Sequence, residues 1–249
     1  MTKIDKSLYT KPQIKKLLEE RRRQKAIEQI KAETTTAISH EQQKLTDHTY
    51  NEYGFVIGNG TSRKGIDLNH IKQYGKVYAC NAMYREFEPD YLIAVDVKMI
   101  NEINQTGWQN NHQVWTNSNK AYRNYTGFNY FQPSKGWSSG PTALDFATQH
   151  TPRFKKIFIL GFDYTGIDNG KQKIVNNMYA GTPNYKRTTD TATYYGNWVK
   201  QTCTILKQNP STVFYRVILP DYFVPNELNR YSNLKHITVK DFMEMFYFP

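Results

Sequence analysis

The sequence predicts an α/β fold built around a mostly parallel sheet, and three observations carry that expectation. From Tyr53 onward, short apolar runs alternate with stretches of helical pattern. The spacing between runs leaves room for crossover helices, the signature of βαβ units. The chain has 249 residues, of which 39% are hydrophobic and 22% charged, enough for one domain with a full core plus an extension.

The elements follow in order. Phe55-Val56-Ile57 reads as the first strand, and Ile66 to Gln73 as a short helix. Lys76 to Cys80 and Tyr91 to Val95 are the next strands, followed by a helix over Val97 to Gln105. Gln113 to Trp115 and Phe128 to Phe131 are further strands. A helix from Gly140 to His150 starts at a Ser-Ser-Gly-Pro turn, and Lys156 to Leu160 is a strongly apolar buried strand. Thr189 to Gln208 has the pattern of a long helix. Val213 to Leu219 and His236 to Val239 are the last strands, and Asp241 to Phe246 closes the chain as a short helix. The polar stretch 164–188 follows a core strand and is long enough to be a lid. No internal repeat is visible.

Residues 1–50 differ from the remainder. Thr10-Lys11-Pro12 resembles a helix start, with Thr as cap and Pro in the first turn. From there to about Glu33 the chain is rich in Lys, Arg, Glu and Gln. Ile14, Leu17, Leu18, Ile27 and Ile30 form only a thin apolar stripe, which suits a helix docking on a protein partner, a weak coiled coil or a solvated arm. Thr34-Thr35-Thr36 ends it, and a linker leads to about Tyr50. The expected organisation is a basic helical extension and linker over 1–50 and one domain over 51–249.

The formal net charge is +11. Residues 1–50 carry 11 Lys/Arg and 7 Asp/Glu, and the rest carries 22 and 15, so the excess is spread along the chain. Such a surface attracts phosphates of a nucleotide, a nucleic acid or an anionic lipid. No apolar run reaches the ~18–20 residues of a membrane span, and the N-terminus lacks the apolar region of a secretory signal. Two cysteines, Cys80 and Cys203, are too few for a disulfide framework or a zinc site and fit a reducing, cytoplasmic setting.

Ligands of open α/β sheets bind beyond the carboxyl ends of the strands. Four clusters fall there. Gly58-Asn59-Gly60-Thr61-Ser62 follows the first strand, and its glycines would let backbone amides approach a phosphate. It is not the full G-x-G-x-x-G fingerprint, because Arg63 occupies the third glycine's place. Cys80-Asn81 follows the second strand. Asp96 follows the third, positioned for a ribose hydroxyl or a metal, although Asp96-Val97-Lys98 supplies no second carboxylate. Ser138-Ser139-Gly140 opens a helix, and Asp163 in Gly161-Phe162-Asp163-Tyr164 ends the strongest strand. Each has a structural alternative: a tight turn, a turn-forming Asn, a helix N-cap or a capping Asp.

Taken in order, these residues resemble a known family. Val56 to Ser62, Ile66-Asp67, Val77 to Asn81, Ser138-Ser139-Gly140 and Ile157 to Asp163 are similar to the bacterial sialyltransferases of glycosyltransferase family 42. Pro89-Asp90-Tyr91 leading to Asp96 is similar to the related motility accessory factor glycosyltransferases. The resemblance covers roughly residues 53–165, and more weakly the helix that follows. It implies a Rossmann-like domain and inverting, metal-independent transfer from a CMP-sugar, with no cofactor beyond that donor. It also implies that Gly58, Asn59, Gly60 and Asn81 contact the donor, that Ser139 and Gly140 line its phosphate or ribose, and that Asp163 holds the cytidine ribose.

Two departures bear on catalysis. Gly136, with Lys135 beside it, stands where the family places an Arg, and none of the six histidines lies between residues 161 and 200, where the family places its base. Asp190, Tyr185 and Tyr194 are the candidates to accept the acceptor's proton. Lys135, Lys186 and Arg187 are the candidates to neutralise the departing phosphate. The leading expectation is therefore a glycosyltransferase whose acceptor is a glycan, a protein or a nucleic acid. The alternatives are an inactive protein of that fold acting in assembly through its N-terminal helix, and a charge-driven nucleic-acid-binding module.

Overall fold

The structure, a computed structural model, describes residues 52–220 and 222–247. The helical extension expected over residues 1–50 lies outside the described residues. The remainder is an α/β fold around one eight-stranded sheet. Its strands are β1 (Tyr53–Ile57), β2 (Gly75–Cys80), β3 (Tyr91–Ile93), β4 (Val114–Asn117), β5 (Phe128–Phe131), β6 (Lys156–Leu160), β9 (Val213–Ile218) and β10 (Leu234–Thr238). A separate antiparallel pair, β7 (Ile167–Asp168) and β8 (Lys173–Ile174), lies within the long polar stretch.

The sheet order is β10-β9-β6-β1-β2-β3-β4-β5, and every pairing in it is parallel. The chain therefore builds outward from β1 through β5, then returns to the other side of β1 with β6. The point where direction reverses lies between β1 and β6, and crevices open there in such sheets.

Parallel sheets are covered on both faces, and the strand residues divide accordingly. Phe55, Ile57, Val77, Ala79, Phe158 and Leu160 face one layer. There they meet α1 (Leu68–Ile71), α2 (Val97–Thr106) and α5 (Val239–Phe246) through Leu68, Ile71, Met99, Ile100, Ile103, Phe242 and Phe246. Val56, Tyr78, Cys80, Ile157 and Ile159 face the other layer. That layer holds α3 (Ser139–Thr148) and α4 (Gly196–Gln208), which supply Ala143, Leu144, Ala147, Val199, Ile205 and Leu206. The side-chain period of two along each strand is what feeds both cores.

Helix ends follow local chemistry. Asp67 caps α1 by accepting from the amides of Asn69 and His70. Gly107 ends α2 in the left-handed conformation, with φ of 70°. Thr238 and Asp241 cap α5 reciprocally.

One expected element is corrected. The long helix read from Thr189 begins at Gly196. Residues 190–192 instead run alongside β8: Val175 donates to the Asp190 carbonyl, Ala192 to the Lys173 carbonyl, and Ile174 bridges Thr191. Thr189, Thr191 and Thr193 are β-branched and suit that extended path. The stretch between β6 and α4 is thus longer than expected, and it is ordered by the β7–β8 pair and this bridge.

Candidate functional site

A cavity of about 210 Å³ opens at the reversal point between β1 and β6. Its walls come from the ends of β1, β2, β3 and β6, from the start of α3, and from the polar stretch that leads to α4.

The β1 and β6 ends form one wall, and glycine makes it possible. Gly58 donates to the Leu160 carbonyl at 2.8 Å and Gly60 to the Gly161 carbonyl at 2.9 Å. A Cβ at Gly60 would lie 2.4 Å from Asp163 Oδ2, and one at Gly161 would lie 2.6 Å from the Gly58 carbonyl oxygen. Gly161 also has a φ of 67°. The two loops therefore pack backbone against backbone. The Gly58 and Gly60 amides are thereby taken up by carbonyls at the β6 end.

Asp163 belongs to the same wall and is only 5% exposed. Its carboxylate accepts from the Ser62 amide at 3.1 Å and from the Ser62 hydroxyl. Arg216, buried beneath, donates to the carbonyls of Phe162 and Asp163 at 2.8 and 3.1 Å and fixes the turn from below. Asn176 joins the long stretch to this wall: its Oδ1 accepts from the Thr61 amide and hydroxyl, and its Nδ2 donates to the Thr165 carbonyl.

The opposite wall is less satisfied internally. Asn81 sits in the left-handed region with φ of 54°. Its Oδ1 accepts from the Ser139 hydroxyl at 2.8 Å, and Ser139 Oγ in turn accepts from the Val95 amide at 3.2 Å. Ser138 precedes α3 without a capping hydrogen bond from its side chain, so the first-turn amides of Ser139 and Gly140 have no side-chain cap. Asp96 occupies the cap position of α2 and likewise makes no capping bond. It is open to solvent by area, yet its carboxyl stands among protein groups, and this desolvation raises its pKa above the ordinary carboxylate value.

Asn59 lies between the walls. Its Nδ2 donates to the Tyr185 hydroxyl at 3.2 Å, while its Oδ1 is buried without a partner. Cys80 lines the cavity as an inert group, because burial pushes its thiol pKa up to about 12.

The seven residues expected to bind a donor, Gly58, Asn59, Gly60, Asn81, Ser139, Gly140 and Asp163, all line this cavity. The expected catalytic and phosphate-neutralising residues do not. Tyr185 sits behind Asn59, where its hydroxyl accepts from Asn59 and from the Ala82 amide, and burial raises its pKa. Tyr194 is 73% exposed. Asp190 binds the Arg187 amide and side chain, and Lys186 donates to the Thr191 carbonyl. Lys135 is held by both carboxylate oxygens of Asp145 at 2.7 Å, beside a separate small cavity lined by Trp137.

Several lining residues were not singled out from the sequence. Asn176, Asn177, Thr193, Tyr195 and Trp198 reach the cavity from the stretch before and into α4. The one available signal was the pair Tyr195 and Trp198, two large aromatics at the end of a polar segment. Among the described residues, no three His, Cys, Asp or Glu side chains converge to hold a metal ion, and no helix is long and apolar enough to cross a membrane.

No family model, curated protein or solved structure matches the chain.

Proposed function

We propose that this cavity binds a nucleotide-sugar and that the protein is an inverting, metal-independent glycosyltransferase, with a CMP-sugar as the donor the resemblance implies. The observation that supports this reading is the convergence of seven positions chosen from sequence order on one cavity at the reversal point of the sheet. They come from three strand ends and a helix start separated by about a hundred residues of chain.

The chemistry of the lining fits that class of ligand. The amide end of α3 suits the donor's phosphate, since helix N-termini carry partial positive charge and unpaired N–H groups. Asn59 Oδ1, buried and unpartnered, suits an N–H or hydroxyl donor of the base or sugar. Tyr195 and Trp198 give an aromatic wall for a base or sugar ring.

The test is a panel of CMP-, UDP- and GDP-sugars, scored by thermal shift and by release of free nucleotide in buffer containing EDTA. One donor is expected to stabilise the protein and to be turned over despite the chelator. Trp198→Phe is expected to weaken that donor's binding. A second reading, an inactive protein of this fold serving in assembly, is favoured by the absence of His, Lys and Arg from the lining among the described residues. Binding without turnover would select it. Loss of all nucleotide binding, with salt-sensitive DNA binding in its place, would overturn both.

A further inference from the structure

The proton acceptors suggested by sequence, Asp190, Tyr185 and Tyr194, all lie off the cavity lining, so the transfer proposed above lacks a base. Two carboxylates do line it, Asp96 and Asp163. They are not equivalent. Asp163 is held by the Ser62 amide and hydroxyl, and its role is already fixed by the loop it supports.

Asp96 has the opposite surroundings. It stands at the cap position of α2, where an Asp side chain ordinarily binds a first-turn amide, and it makes no such bond. No hydrogen bond or ion pair from the described residues reaches its carboxylate. It is exposed toward the cavity, and its neighbour Val95 is tied to Ser139, so it stands beside the start of α3.

We propose that Asp96 is the general base of this site and accepts the proton of the acceptor hydroxyl; this deepens the sugar-nucleotide reading and rests on it. The acceptor oxygen forms a bond to the anomeric carbon while its proton passes to the Asp96 carboxylate. The bond from the anomeric carbon to the phosphate oxygen breaks, and its electron pair leaves with the nucleotide phosphate. Water serves as the acceptor when the donor is hydrolysed, and protonated Asp96 returns its proton to solvent.

The other titratable groups around Asp96 do not compete for this role. Burial holds Tyr185, Tyr164 and Tyr195 in their protonated forms and does the same for the Cys80 thiol. Asp163 is bound by Ser62. Lys98, two residues along α2, faces a groove it shares with Arg85 and Glu102. Desolvation raises the Asp96 pKa and so makes its carboxylate a stronger base than an ordinary aspartate.

The experiment compares the full chain with Asp96→Asn and Asp96→Glu, using the same CMP-, UDP- and GDP-sugars. Affinity is measured by calorimetry and hydrolysis across pH 4 to 9. Wild type is expected to lose activity as pH falls through the raised Asp96 pKa. Asp96→Asn is expected to bind the donor with unchanged affinity, to hydrolyse it about 100-fold or more slowly, and to lose that acidic limb. Asp96→Glu is expected to recover part of the rate and to retain the limb. Equal rates and equal pH profiles for wild type and Asp96→Asn would overturn the assignment while leaving donor binding intact. Donor binding without hydrolysis by wild type would overturn it as well. Failure of wild type to bind any of these donors would instead defeat the sugar-nucleotide reading, and the base with it.

Discussion

The two walls of the cavity use similar residues to opposite ends. On the β1–β6 side, Gly58 and Gly60 donate to the Leu160 and Gly161 carbonyls, Ser62 donates to the Asp163 carboxylate, and Arg216 holds the Phe162 and Asp163 carbonyls from below. On the β2–β3–α3 side, the Asp96 carboxylate has no partner among the described residues, Ser138 caps nothing with its side chain, and Asn81 is held in a left-handed conformation. Both walls contain an Asp three residues beyond the end of a strand and a Ser near a turn. In one the polar groups are consumed by the fold; in the other Asn81 and Ser139 bind internally, while the Asp96 carboxylate has no partner among the described residues. Buried or half-buried polar groups ordinarily find partners. A wall that leaves several unfilled is where a ligand has most to offer, and the filled wall is what keeps the cavity in shape.

The sharpest way to break this contrast is to remove a partner from the filled wall. Asp163→Ala deletes hydrogen bonds from the Ser62 amide and hydroxyl to a buried carboxylate. Bonds to a charged group contribute about 1.5–3 kcal/mol each, and the orphaned Ser62 groups add desolvation. The unfolding free energy measured in urea is expected to fall by about 3 kcal/mol. If stability is unchanged and only nucleotide binding falls, Asp163 is a ligand-binding residue and the two walls do not differ as described.

A smaller effect on the same wall comes from Gly60→Ala. The added methyl would meet Asp163 Oδ2 at 2.4 Å and the Gly161 carbonyl at 2.7 Å, so one of the two loops must move. Overpacking of this kind costs about 1–3 kcal/mol. A loss near 2 kcal/mol in urea denaturation is expected, whether or not a nucleotide is present. A variant that melts like wild type would mean the loops separate freely.

This contrast also explains what was legible in the sequence. The strands could be read because their residues are apolar on both faces, as a doubly covered sheet demands, and their ends located the cavity. Asn59, Asn81, Ser139 and Asp163 could be picked out as strand-end or helix-start residues. What each of them does there could not, because that depends on groups far along the chain: Ser62 and Asp163 are 101 residues apart. The same holds for the start of α4. Residues 189–195 hold three threonines and two tyrosines, weak helix formers that do not by themselves say where the helix begins, and it is the edge of β8, well before them in the chain, that holds residues 190–192 in an extended path. Lys135 is a candidate because it stands beside Gly136, where the resembled family places an Arg, yet Asp145, ten residues on, takes its charge.

The smallest expected effect tests the unfilled wall. Among the described residues Asp96 has no capping bond and no ion pair, so Asp96→Asn removes none of the contacts described. The folded state raises the Asp96 pKa, so its ionised form is less favourable there than in the unfolded chain. That penalty is absent well below the ordinary carboxylate value, where the group is protonated in both states. It grows as pH rises through the unfolded and then the folded pKa, and is complete above both. Asp96→Asn should therefore match the wild-type Tm at pH 3 and equal or slightly exceed it at pH 8. Thermal melts at the two pH values check the sign. A variant less stable than wild type at pH 8 would mean that the Asp96 carboxylate has a favourable partner in the fold. The wall it belongs to would then be as filled as the one opposite.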